Sequence, residues 1–211
     1  MINNNLYRNL LLSFLTIIAL TTNAQNENYN PNILLVEKLT HKDFDVLITA
    51  LKEGHPGLYS YLSEDSLQYF ITKTKTQLKD SLTESDFHII IREFLVHIKC
   101  GHTVAMPSLA YYDFYRKKAT LLPFEVYLLN NQIFIRENLS TDSSFVSGCE
   151  LKSIDNISIN TILNRMENIQ PRDGNSKTFI FHSIQVNFRT YFLFLYGMKP
   201  NYSIKYIDKN N

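Results

Sequence analysis

Residues 147 to 163 read SGCELKSIDNISINTIL. Glu150 to Ile154 and Ile157 to Ile159 read as two short strands. Asp155 and Asn156 lie between them. Both residue types tolerate the left-handed backbone that a tight turn needs. Asn160 can then cap a helix running through Ile162, Leu163 and Met166. Strand, turn, strand and helix within so few residues mark a small mixed module, and this decides the fold class.

Everything before residue 102 reads differently. Phe44, Leu47, Ile48 and Leu51 share one helical face, with Thr40 and Asp43 as a start resembling a capping box. Gly54 ends that helix, and His55-Pro56-Gly57 forces a turn. Ser63 caps a second helix carrying Leu67, Phe70, Ile71 and Leu78. Thr83 caps a third, with Asp86 three residues on. Its stripe of Phe87, Ile90, Ile91, Phe94, Leu95 and Ile98 is unusually regular. Gly101 stands where a left-handed helix cap is wanted. Residues 33 to 101 therefore predict a small helical bundle.

Downstream, Leu121 to Asn138 alternates around Asn130-Asn131, a pair suited to a two-residue hairpin turn. A loop with Ser143, Ser144, Ser147 and Gly148 leads into the opening stretch. Pro171-Arg172-Asp173-Gly174 is a turn. Ile184, Phe188, Tyr191, Phe192 and Leu195 form a helix ended by Gly197, and Tyr202, Ile204 and Tyr206 alternate as a last strand. The expected fold class is α+β, with a helical part, a small β/α module and a connector.

Totals set the bounds on function. Apolar residues make up 45% of the 211 residues, enough to build a packed core. The 21 basic and 20 acidic residues nearly balance, which gives no electrostatic case for nucleic acid or an anionic membrane. The first 24 residues, with Arg8, the apolar run LLLSFLTIIAL and small residues before Ala24, read as a secretory signal peptide. The run is shorter than the ~20 apolar residues of a spanning helix, so a membrane would be touched only through an uncleaved signal segment. Export to the periplasm or medium follows. There Cys100 and Cys149 are either a disulfide or two unpaired thiols.

Motifs that carry chemistry are few. There is no G-x-S-x-G elbow, phosphate loop or H-E-x-x-H. His97, Cys100 and His102 are ligand types, but helical spacing sends His97 and His102 in different directions and no fourth ligand is apparent. Neither a metal nor a cofactor is expected. His102 follows the helix-ending glycine, where an imidazole can serve as a general base for a hydroxyl nucleophile. By spacing alone, a histidine hydrogen-bonded at a helix end is the plainer reading. Cys100 lies at a helix C-terminus, whose field opposes a thiolate. His55 reads as a turn residue packed on Tyr59 or Tyr61. Tyr111, Tyr112 and Tyr115, beside Arg116, Lys117 and Lys118, read as a half-exposed loop with a basic patch.

Four stretches occur in order: LKEGHPGLYSY at 51–61, FLVHIKCGHT at 94–103, LPFEVYLLNNQIFI at 122–135 and SGCELKSIDNISINTIL at 147–163. In that order they resemble the front part of exported tail-specific (C-terminal processing) serine peptidases, especially a branch common in Bacteroidetes. The tricorn core peptidase and interphotoreceptor retinoid-binding protein are related to that family. The resemblance implies a signal peptide over 1–24, a leader over 25–39 and a helical domain over 40–119. A PDZ-like module would follow over 120–170, then a helix and strand connector over 171–211 toward a catalytic core. It implies His102 as the catalytic base, with Gly101 and Thr103 shaping its loop, and polypeptide substrates or C-terminal peptides as partners. Asn156 replaces the glycine usual in the family's turn. No serine here has the family's nucleophile context, so the chain alone is expected not to hydrolyse peptides. The alternative is a non-enzymatic PDZ-like peptide-binding or lipid-binding protein.

Overall fold

The computed structural model describes residues 29–143 and 146–208. The signal peptide expected over 1–24, and Ser144 of the expected loop, lie outside these residues. The architecture is α+β, an N-terminal helical part followed by a β/α module. The helices are α1 (Glu37–Gly54), α2 (Glu64–Lys75), α3 (Glu84–Leu95), α4 (Leu109–Lys118), α5 (Ile159–Glu167) and α6 (Thr178–Tyr196). The strands are β1 (Phe124–Leu129), β2 (Gln132–Asn138), β3 (Glu150–Ile154), β4 (Ile157–Ser158) and β5 (Ile204–Ile207). Among the described residues no helix is long and apolar enough to cross a membrane.

Local sequence explains most helix ends. Ser63 accepts from the Ser66 amide at the start of α2, and Thr83 and Asp86 form a complete capping box on α3. Helix α1 departs from expectation. It begins at Glu37, not Thr40, and its N-cap, Val36, makes no side-chain cap bond. Asp80 does the capping from a distance, its carboxylate accepting from the Glu37 amide at 2.8 Å. Thr40 instead donates to the Glu37 carbonyl. Helix α5 is capped by Ser158, not Asn160, because β4 stops one residue earlier than expected, at Ser158. Residues 109–118, expected as a loop, are helix α4, capped by Ser108.

The sheet is antiparallel. β1 pairs with β2, and β3 pairs along one edge with β2 and β4 and along the other with β5. Both expected hairpin turns form with both central residues left-handed. Asn130 and Asn131 have φ of 51° and 61°, and Asp155 and Asn156 have φ of 52° and 63°. Asn at 156 thus does the work of the usual glycine.

Two apolar cores result. Phe44, Leu51, Leu67, Ile71, Ile91, Phe94 and Ile98 fill the helical one. The other joins the sheet to α5 and α6 through residues such as Phe124, Ile133, Leu151, Ile162, Ile184 and Phe188. The stretch 171–211 therefore contributes α6 and β5 to the module's own core and sheet. Burying Phe and Ile side chains here contributes about 1.5–3 kcal/mol each. Helix α3 bridges the cores. Its Ile89 packs on the sheet side, and Arg92 donates to the Ile169 carbonyl at 2.9 Å.

Candidate functional site

The third helix does not run to Gly101. It stops at Leu95, tightens into one 3₁₀ turn over Val96–Ile98, and Lys99 takes the left-handed conformation at φ 56°. Gly101 is not left-handed. Its lack of a side chain serves a different purpose, since a Cβ there would lie 2.9 and 3.0 Å from the carboxylate oxygens of Asp173. Asp173 Oδ1 accepts from the Gly101 amide at 2.7 Å. The cap expected at 101 is thus corrected to Lys99, and Gly101 is a point of close approach.

Two further bonds hold the 171–176 loop against this helix end. The Gly174 amide donates to the Lys99 carbonyl at 3.0 Å, and Lys99 Nζ donates to Asn175 Oδ1 at 2.8 Å. Gly174 is left-handed at φ 59°, and a Cβ on it would meet the Tyr61 ring at 3.1 Å. Tyr61 therefore packs on the distant Gly174.

The HPG turn completes the arrangement. His55 Nδ1 accepts from the Gly57 amide at 3.2 Å, which puts the ring proton of the neutral imidazole on Nε2. Nε2 then donates to Thr103 Oγ1 at 2.8 Å. Thr103 also donates its amide to the Cys100 carbonyl at 3.1 Å. Three turns that are far apart in sequence, at 55–61, 99–103 and 171–175, meet in one place.

His102 lies on the 99–103 turn, between Gly101 and Thr103, and is exposed. Its ring makes no hydrogen bond among the described residues, so it is not a histidine tied down at a helix end. A ligand-capable atom of His102 lies within 4.8 Å of the Cys100 thiol and of an Asp173 carboxylate oxygen. Such an imidazole is free to take a proton, and a carboxylate beside it can orient the ring. The orienting hydrogen bond is not made in this arrangement.

The other histidine of the helix end goes elsewhere. His97 stacks on Phe70 with ring centroids 3.6 Å apart and planes 8° apart. Burial, reinforced by the positive charges of Lys73, Arg172 and Lys99, pushes it down to about 4. It is a neutral packing residue over most of the pH range. The thiols do not pair: Cys149 is fully buried in the sheet core and Cys100 is free and half-buried.

Sequence reasoning singled out His102, Gly101, Thr103 and His55, and the structure brings all four into the junction. It missed Asp173, which read only as part of a turn. The sole signal for it was the Asp-Gly pair, which names a turn and not its partner. Of the tyrosines of α4, Tyr111 is buried and lies against Tyr115 with ring centroids 4.5 Å apart and planes tilted by 40°, and Tyr112 is exposed.

No protein-family model matches the chain, and no curated protein matches it. Among solved structures it is similar to CPAF. A serine-to-alanine variant of CPAF aligns with a TM-score of 0.58 at 12% identity, over 82% of this chain and 32% of that one. Mature CPAF aligns at 0.55 and 14% identity, over 83% and 33%. Mature CPAF complexed with lactacystin aligns at 0.53 and 15% identity, with the same coverage. The chain spans about a third of the length of these CPAF chains. At such identities the likeness is one of fold alone.

Proposed function

We propose that this chain is the front, substrate-recognition portion of an exported serine-type tail-specific peptidase, with His102 as its general base. The nucleophilic serine belongs to a catalytic core outside the described residues. The observation that carries the reading is the exposed, uncommitted imidazole of His102, held on a loop braced from two other turns. The likeness of fold to CPAF supports it at the level of a protease-related region. In this reading Gly101 and Thr103 shape the loop, since one admits Asp173 and the other is gripped by His55. Asp173 stands where an orienting carboxylate would act once substrate closes the site.

The residues around 120–170 would then be the PDZ-like module. A second reading, peptide binding without catalysis, is favoured by the sheet itself. Among the described residues β5 pairs with β3 along one side and with no strand along the other, so its outer edge can take an added strand, whereas the outward Leu128 amide of β1 already donates to Gln185 Oε1 at 3.0 Å.

The test uses the chain with unfolded polypeptides and a serine-directed fluorophosphonate probe. The expected result is binding with neither cleavage nor labelling. Robust cleavage with a labelled serine among residues 29–208 would overturn the assignment of the nucleophile to a separate core.

A further inference from the structure

The junction contains a donor set that the peptidase reading does not use in full. Cys100, His102 and Asp173 each offer one ligand atom, and the three atoms lie within 4.8 Å of one another. Two loops supply them, joined by a contact between residues 72 apart. Asp173 Oδ1 is occupied by the Gly101 amide, which fixes the carboxylate and leaves Oδ2 without a hydrogen bond. The missing Cβ of Gly101 is what allows this, since it would stand 2.9 Å from Oδ2.

Thiolate, imidazole and carboxylate are the ligand types zinc takes, and the thiolate selects against magnesium and calcium. Charge also fits. One thiolate, one carboxylate and one neutral imidazole balance a divalent ion. In a tetrahedral site with bonds of about 2.0–2.3 Å, donors stand roughly 3.5 Å apart. Closing from separations of at most 4.8 Å to that distance asks for no more than side-chain rotations of an exposed His102 and a half-buried Cys100. Neighbouring ligand types are engaged elsewhere. His97 is stacked on Phe70, both nitrogens of His55 are hydrogen-bonded, and Cys149 is buried in the sheet core.

We propose that Cys100, His102 and Asp173 form a zinc site with three protein ligands and one open position. Binding sends the Cys100 thiol proton to solvent and takes a lone pair each from sulfur, nitrogen and oxygen. The metal occupies the imidazole that would otherwise accept a proton from a nucleophile. Metal-bound and base forms of His102 therefore exclude each other, so zinc would hold the site off. That consequence rests on the peptidase reading; the metal site itself does not.

The experiment titrates the reduced full chain with Co²⁺ and then Zn²⁺. The expected result is a thiolate-to-cobalt charge-transfer band with intense tetrahedral d–d bands, erased by stoichiometric Zn²⁺. Cys100→Ser should remove the charge-transfer band. Cys100→Ser and His102→Gln should each lower zinc affinity at least about tenfold, and Gly101→Ala, which displaces Asp173, about tenfold. His182→Gln, at an exposed histidine outside the cluster, should leave affinity unchanged. Zinc should also protect Cys100 from alkylation in the folded chain. Absence of the charge-transfer band, or zinc affinity unchanged in Cys100→Ser and His102→Gln, would overturn the site. The Cys100 side chain takes no part in docking the two loops, so Cys100→Ser is decisive even where Gly101→Ala loosens them. No readout involves cleavage, so a failure here leaves the peptidase reading standing, and a failure of that reading leaves the site standing.

Discussion

The turn at 155–156 and the helix end at 99–103 were both read from short polar residues and a glycine position, and they differ in what determines them. At 155–156 the answer is mostly local. Two short polar residues accept left-handed angles, and Asp155 is further tied by the Ser203 amide at 2.9 Å and Lys199 Nζ at 2.7 Å. Those hydrogen bonds hold its carboxyl below the usual range. At 99–103 the answer is remote. Lys99 takes the left-handed position, and Gly101 stays small because Asp173 rests on it. A glycine after a helix can signal a cap or a visitor, and only the fold distinguishes the two.

The largest expected effect falls at the remote end. Gly101→Ala should force Asp173 off the loop amide and cost about 1.5–3 kcal/mol, the range for a hydrogen bond to a charged group. Asp173→Ala should cost a similar amount, and the double variant no more than either alone, in urea unfolding. Additive losses would mean that the two residues do not act as one contact.

Acid tests the same region through His97. Its native state binds a proton only near pH 4, whereas the unfolded chain binds one near 6.5. Stability should be full above about pH 6.5 and fall as pH drops toward 4, by roughly 1–2 kcal/mol after allowance for partial exposure. His97→Phe, which keeps the stack on Phe70, should flatten that part of the urea-midpoint profile.

Thr103→Val should cost about 1 kcal/mol, because the His55 Nε2–H loses its acceptor. A thermal melt measures it, and a neutral result would detach the HPG turn from the junction. The smallest effects belong to the local turn. Asn156→Ala should cost about 1 kcal/mol through its left-handed angle, and Asn156→Gly should stay within about 0.5 kcal/mol. A large loss on Asn156→Gly would show that this turn, too, depends on distant contacts.

The same contrast governs what the sequence could reveal. The apolar stripe of α3, the Ser63 and Thr83 caps, the Asn130-Asn131 hairpin and the α+β class all rest on spacing within a few residues. Helix α1 was misplaced at its start because Asp80, far down the chain, caps it. Helix α4 was missed because Tyr111 alone among its residues is buried, so its pattern has almost no apolar face. At the site, His102 was legible as a residue just past a helix, as were its neighbours Gly101 and Thr103. Asp173 was not, since nothing near PRDGN says which loop it meets.

The central claim is that the chain recognises polypeptide and lacks its own nucleophile. The most direct measurement is an amide-resolved NMR titration of the isotope-labelled chain with an unfolded polypeptide bearing a free C-terminus, followed until any cleavage would show. The account predicts shifts along the outer edge of β5 and around residues 99–103, with the polypeptide left intact. Shifts confined to the outer face of α1, or cleavage by the isolated chain, would contradict it.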